Sequence, residues 1–200
     1  MSRLTPVLLP LFVLSVSAGP ILAQYGSDDS AIAIANAVLP IPEDLRAGAE
    51  VLGQSESGEI SVLREGSNEM VCVADRPGDD RFQVICYHES LAPMIARGCE
   101  LRADSVEDVN GQRHAEMDAG DLAKPELGAT LYNMTMDLDK FDPETASTTL
   151  YSIYTPYATA ASTGLPSSPS APGAPWMMRA GTASSHIMVI VPKMAHDEAP

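Results

Sequence analysis

The spacing of apolar positions changes several times along this chain. Residues 1–24 hold an apolar stretch from Val7 to Leu14, broken by Pro10, with Arg3 as the single charge and the small residues Ala18 and Ala23 behind it. This is the layout of a secretory signal peptide, and cleavage after Ala23 makes 1–23 the removed segment. The competing reading is a membrane anchor of roughly twenty apolar residues. Pro6, Pro10, Pro20, Ser15 and Ser17 make that a poor permanent helix. Residues 24–44 then read as a loose or short-helical segment, with an Ala- and Ile-rich helix over 31–38 stopped by Pro40 and Pro42. Glu43 and Asp44 suit the first turn of a second helix over 42–52, where the helix dipole favours negative charge. Period-two alternation follows at 59–64, 70–73 and 82–86, which predicts a meander of three antiparallel strands.

After residue 90 the period becomes helical. Ser90 is a predicted N-cap for a helix over 91–103, with Pro93 tolerated in its first turn. Ser105 and Asp108 predict a second helix reaching about residue 118, weakened by Gly111. Strand character returns at 128–136, 148–155 and 186–191. The last run is almost continuously apolar, as a central strand would be, and Pro192 ends it. Residues 162–175, with prolines at 166, 169, 172 and 175, form an extended loop inside the domain. Residues 193–200 read as a frayed tail. The expected fold is α+β: a single small domain over 45–192, with an antiparallel sheet and two or three helices on one side.

Charge narrows the partners. The chain has 12 Lys+Arg against 27 Asp+Glu, a net −15, while 45% of its residues are hydrophobic. The hydrophobic fraction supports a packed core. The acidity excludes nucleic acid and anionic membrane surfaces, which select for basic residues. Seven acids and two arginines fall within 100–121, which reads as a solvated helical face. No later stretch is apolar enough to span a bilayer, so the cleaved chain is expected to be soluble, not membrane-inserted, and periplasmic or extracellular.

An exported chain oxidises its cysteines. Cys72 and Cys86 each lie in a strand-like run, on either side of the turn sequence Asp75-Arg76-Pro77-Gly78-Asp79-Asp80. Folding back over that turn brings them within disulfide reach; the alternative is three reduced, buried thiols. Cys99 shares a helical spacing with Leu91, Met94 and Ile95, which predicts a buried core thiol.

Familiar catalytic and metal motifs fail on inspection. His88-Glu89 lacks the second His of H-E-x-x-H, because position 92 is Ala. His114-Ala115-Glu116 is not followed by P-C-x-x-C. Asp137, Asp139, Asp142 and Glu144 have the wrong spacing for an EF-hand. Neither a metal nor a cofactor is implied. Asn133-Met134-Thr135 is a glycosylation sequon inside a strand-like run. The remaining polar candidates are Arg64, Glu65, His88, Glu89, Tyr154, Trp176, Arg179 and His186. Were their strands neighbours, His88 and His186 would share a cleft, with Glu89 or Glu65 as orienting carboxylate. Otherwise each is an ordinary capping or surface group.

Two blocks carry a resemblance. Leu63-Arg64-Glu65-Gly66-Ser67-Asn68, then Val71-Cys72-Val73 and Ile85-Cys86-Tyr87-His88-Glu89-Ser90, resembles a recurring pattern in an uncharacterised family of exported bacterial proteins. There an R-E-G-x-N turn precedes two cysteines and a helix. Tyr154-Thr155-Pro156-Tyr157-Ala158, Pro175-Trp176-Met177-Met178-Arg179-Ala180-Gly181-Thr182 and His186-Ile187-Met188-Val189 are similar to that family's C-terminal part. The resemblance spans about 45–192. It implies export, bacterial origin, a shared scaffold and the pairing of Cys72 with Cys86; it implies no reaction, and Cys99 lies outside the pattern. The expected function is therefore a non-catalytic binding or envelope-associated module for a small ligand or an envelope partner. The alternative is a small extracytoplasmic hydrolase or isomerase using His88 and His186 with a carboxylate and Arg64.

Overall fold

The structure, a computed structural model, describes residues 27–191. The expected signal peptide and the C-terminal tail lie outside the described residues. Helix α1 (Ser27–Ala37) and a single turn α2 (Glu43–Arg46) lead into β1 (Glu50–Gln54), β2 (Ile60–Arg64), β3 (Met70–Val73) and β4 (Arg81–His88). Helices α3 (Ala92–Ala103) and α4 (Val109–Ala119) follow, then β5 (Thr130–Asp137), β6 (Leu150–Tyr154), α5 (Ala160–Thr163), β7 (Trp176–Met178) and β8 (His186–Ile190). The eight strands form one sheet in the order β2-β1-β3-β4-β5-β6-β8-β7. Every neighbouring pair is antiparallel except β1 with β3, so the chain is the expected small α+β domain.

The expected three-stranded meander is corrected by β1, which stands between β2 and β3. Only the first turn of the helix expected over 42–52 forms. Beyond it Val51 and Gly53 are buried while their neighbours are not, the period-two signature of a strand. A Cβ on Gly53 would lie 2.9 Å from Leu63 Cγ, so glycine lets β2 close onto β1. Pairing on both sides outweighs the local helical preference.

Alternation along β3 and β4 divides the core. Cys72, Cys86, Val51 and Met70 face α1, where Ala37, Val38 and Ile41 cover them. Val71, Tyr87 and Tyr154 face the opposite layer, built from Leu91, Met94 of α3 and Met117 of α4. The helix pair α3–α4 thus occupies one side as expected, and α1 adds a third layer. Strand β8 is paired on both sides, by β6 and β7.

Both helix caps differ from expectation. A 3₁₀ turn, Glu89–Leu91, precedes α3, and His88 Nδ1 accepts from the Ser90 amide. Asp108, not Ser105, caps α4: its Oδ1 accepts from the Gly111 amide at 2.8 Å. A Cβ at position 111 would stand 2.1 Å from Asp108 Oδ2. The glycine expected to weaken α4 therefore permits its cap.

Cys72 stands directly opposite Cys86 in the β3–β4 ladder, and the two form a disulfide with Cα atoms 4.0 Å apart. Such a bond is consistent with an oxidising compartment. Cys99 is free and exposed, not buried. The inward stripe of α3 is Leu91, Met94, Gly98 and Leu101, and each helical step turns by about 100°, which carries Cys99 outward from Gly98. Among the described residues no helix is long and apolar enough to cross a membrane.

Candidate functional site

The sequence candidates separate into two regions. Arg64 lies at the end of β2, where it donates from Nε and Nη2 to the Ala49 carbonyl and from Nη2 to the Arg46 carbonyl at 2.6 Å. Asn68 Nδ2 donates to the Leu45 carbonyl, and the amides of Ser67 and Asn68 both reach the Gly48 carbonyl. A Cβ on Gly66 would meet the Glu50 backbone at 2.9 Å. The R-E-G-x-N turn is thus a knot that ties the α2–β1 connection to the β2–β3 crossover. Glu65 is exposed beside it.

His88 is a capping residue. Its Nδ1 lies 2.9 Å from Ser90 Oγ and its Nε2 lies 3.4 Å from Glu69 Oε2. The nearby carboxylate is therefore Glu69, while Glu89 is exposed and bonds the Glu69 carbonyl through its amide. Tyr87 faces α3–α4, so alternation turns His88 toward the α1 side. His186 packs against Tyr154 on the α3–α4 side, the rings tilted by 34° with centroids 5.0 Å apart. Strands β5 and β6 separate β4 from β8, and three strand spacings amount to about 14 Å. Arg64, His88, Glu89 and His186 do not form one network. Trp176 lies beyond β8, on the outer strand β7.

The structure does bring Tyr154, Arg179 and His186 together, with partners not anticipated: Arg113, His114 and Ser184. Two segments frame this cluster. The Thr155 amide donates to the Ser185 carbonyl, the Tyr157 amide to Thr182, and the Gly181 amide to Ala158; the Ser185 hydroxyl donates to the Thr155 carbonyl. Across them lies α4. His114 Nε2 is 2.6 Å from Ser184 Oγ, and Tyr157 donates its hydroxyl to Asp118 Oδ1 at 2.8 Å. His186 Nδ1 donates to the Ser184 carbonyl at 2.9 Å, so Ser184 touches both imidazoles. Arg113 is 7% exposed and threads between the helices, donating to the Met94 carbonyl at 3.0 Å and to Asn110 Oδ1 at 2.6 Å. Gly98 makes room for it, since a Cβ there would lie 2.9 Å from Arg113 Nη1.

Tyr157 and Arg179 both hold left-handed backbone, with φ of +63° and +52°. Bulky residues rarely accept that region. Such strain persists where the surrounding structure over-determines a side-chain position, often at functional sites. The Thr155 hydroxyl, in the same segment, is buried without a hydrogen-bond partner.

The chain matches no family model, no curated protein and no solved structure.

The electrostatics of the cluster follow from its burial and its arginines. Burial pushes the His114 pKa below the usual imidazole value, helped by Arg179 and Arg113 and opposed by Asp118 and Asp108. Burial also lowers His186, with Arg179 acting in the same direction against the Ser184 carbonyl. Both rings are therefore neutral at neutral pH. Burial lowers Arg113 as well, together with the positive charges of Arg179 and Arg102. These groups can donate hydrogen bonds to a ligand and supply positive charge. They do not assemble a metal site: among the described residues no group of three or more His, Cys, Asp and Glu is placed to hold an ion. The acidic loop does not converge either, since Asp137 pairs with Lys140 while Asp142 turns back to the Glu144 amide and the Thr145 hydroxyl.

The missed residues had one faint signal. Asn110, Arg113 and Met117 occupy one helical stripe with His114 beside it, and an arginine within a buried stripe asks for a purpose.

Proposed function

We propose that this protein is an exported bacterial binding module, of the family its two sequence blocks resemble, and that its ligand seats where the C-terminal block meets α4. The observation that carries this reading is the paired backbone strain at Tyr157 and Arg179, within the same framework that gathers Tyr154, Ser184, His186 and the α4 side chains. The signal-peptide pattern and the Cys72–Cys86 disulfide support export.

The module is non-catalytic in this reading. A hydrolase or isomerase built on His88 and His186 needs both rings in one cleft, whereas they lie on opposite faces of the sheet. The His114–Ser184 contact is the arrangement that favours nucleophilic chemistry instead. Against it, Ser184 is 1% exposed, so its hydroxyl is sealed under the loop and not presented to substrate.

One preparation tests both parts. The protein, expressed with its leader in a bacterial host, is expected in the periplasmic fraction with a mass beginning at Gln24, and to stay unlabelled by a fluorophosphonate. Cytoplasmic recovery beginning at Met1 would remove export. An adduct on Ser184 that disappears in His114→Gln would replace the binding module with an acyl-transfer enzyme.

A further inference from the structure

We propose that the α4–β8 cluster receives a small oxyanion, the carboxylate or phosphate group of a ligand, held by Arg179 and Arg113 beside His114. This rests on the reading of the cluster as the ligand site, and names what the site takes.

Most cations of this acidic chain have an evident partner among the described residues. Arg76, Arg97 and Lys140 each meet a carboxylate. Arg46 and Arg64 meet backbone carbonyls. Lys124 lies over the Tyr157 ring. Arg81 donates to the Thr135 hydroxyl, and Arg102 is exposed at the end of α3. Arg113 and Arg179 differ from these in burial. Arg113 is 7% exposed and, like Arg46 and Arg64, meets only neutral oxygens, Met94 O and Asn110 Oδ1, which leaves a buried charge without a carboxylate and part of its five-donor fork unused. The Arg179 guanidinium has no hydrogen-bond or ion-pair partner among the described residues, and it is half-buried on strained backbone.

Arg113 is almost fully buried, and after burial itself the like charge of Arg179 is the next influence that disfavours its charged form; a buried guanidinium so placed costs stability unless something anionic joins it. The carboxylates nearby are committed elsewhere: Asp118 accepts from Tyr157 and Asp108 caps α4. A chain with a net charge of −15 therefore keeps a locally positive patch here, with Arg113 buried and Arg179 and His114 half-buried beside it. Guanidinium forks match the paired oxygens of carboxylate and phosphate.

The test is a side-chain NMR titration of the mature protein at constant ionic strength, with inorganic phosphate and acetate as separate probes and chloride as reference. Saturable shifts of the Arg179 and Arg113 Nε–H signals with at least one probe are expected. Phosphate alone marks a phosphate-bearing ligand, acetate alone a carboxylate, and both a generic oxyanion receptor. Arg179→Gln should weaken binding by roughly tenfold to hundredfold, the loss of a charge-assisted contact. Arg179→Gly, which suits the left-handed backbone, should lose binding without lowering Tm. Arg76→Gln, which alters a surface pair outside the cluster, should bind as wild type. Linear, chloride-like responses to both probes, or unchanged binding in Arg179→Gln, would overturn the oxyanion receptor. Either result leaves the non-catalytic module standing, because that is decided by fluorophosphonate labelling.

Discussion

Arg64 does the work of several residues at once. Its guanidinium satisfies the carbonyls of Arg46 and Ala49, and Arg46 in turn donates to Ile41 and Leu39. The chain from α1 to β2 is thereby stitched through main-chain oxygens. Truncation to Ala would leave half-buried acceptors without donors, at about 1–3 kcal/mol. Arg64→Ala is thus expected to lower the urea midpoint, and Arg64→Lys, with one compact ammonium in place of a fork, to restore only part of the loss. An unchanged midpoint in Arg64→Ala would mean that water replaces the clamp. The same residue shows what local sequence conceals: Arg64 was a candidate for catalysis, yet its partners lie 15 and 18 positions away and become visible only when β1 and β2 pair.

At the scale of elements, α3 and α4 are joined by a clamp. Arg97 grips Glu116 with two bonds, of 2.8 and 2.7 Å, and Glu100 with a third, while Gln112 also donates to Glu116. These donors hold the Glu116 carboxyl down at about 2, from its ordinary value near 4.5. A depressed carboxyl contributes stability in full above its unfolded pKa and loses it as the pH falls through the folded one. The contribution should therefore fade between about pH 4.5 and 2. Glu116→Gln is expected to flatten that acid limb in urea midpoints measured from pH 7 to 2; curves that stay parallel across the window would rule it out. Helices α3 and α4, and most strands, were legible because their apolar periods are local. β1 was not, because the residues just before it form a helical turn whose pattern reads on into the strand, and its strand identity comes from β2 and β3 on either side. The candidate site was half legible. Tyr154, Arg179 and His186 stood out as polar residues near apolar strands, whereas the contact of His114 with Ser184 spans 70 positions, which no local pattern announces.

For the whole molecule, the Cys72–Cys86 bond crosses two of the inner strands, with β1 and β5 on their outer sides. Closing a loop of this length restricts the unfolded chain by about 3 kcal/mol. The double variant Cys72→Ala, Cys86→Ala should lose roughly that much in urea unfolding. The native protein should titrate a single thiol, Cys99, and still a single thiol after denaturation without reductant; three after denaturation would contradict the bond. The position of that exposed thiol also bears on how the bond is made. Cys86 follows Cys72 by 14 positions and precedes Cys99 by 13, so closure entropy scarcely distinguishes the correct partner from the wrong one. On the proposed route of export, a chain translocated N-terminus first would deliver Cys72 and Cys86 to the oxidant before Cys99 emerged. A full-length chain diluted from denaturant has no such head start, and its fidelity depends on the β3–β4 hairpin closing before Cys99 is captured.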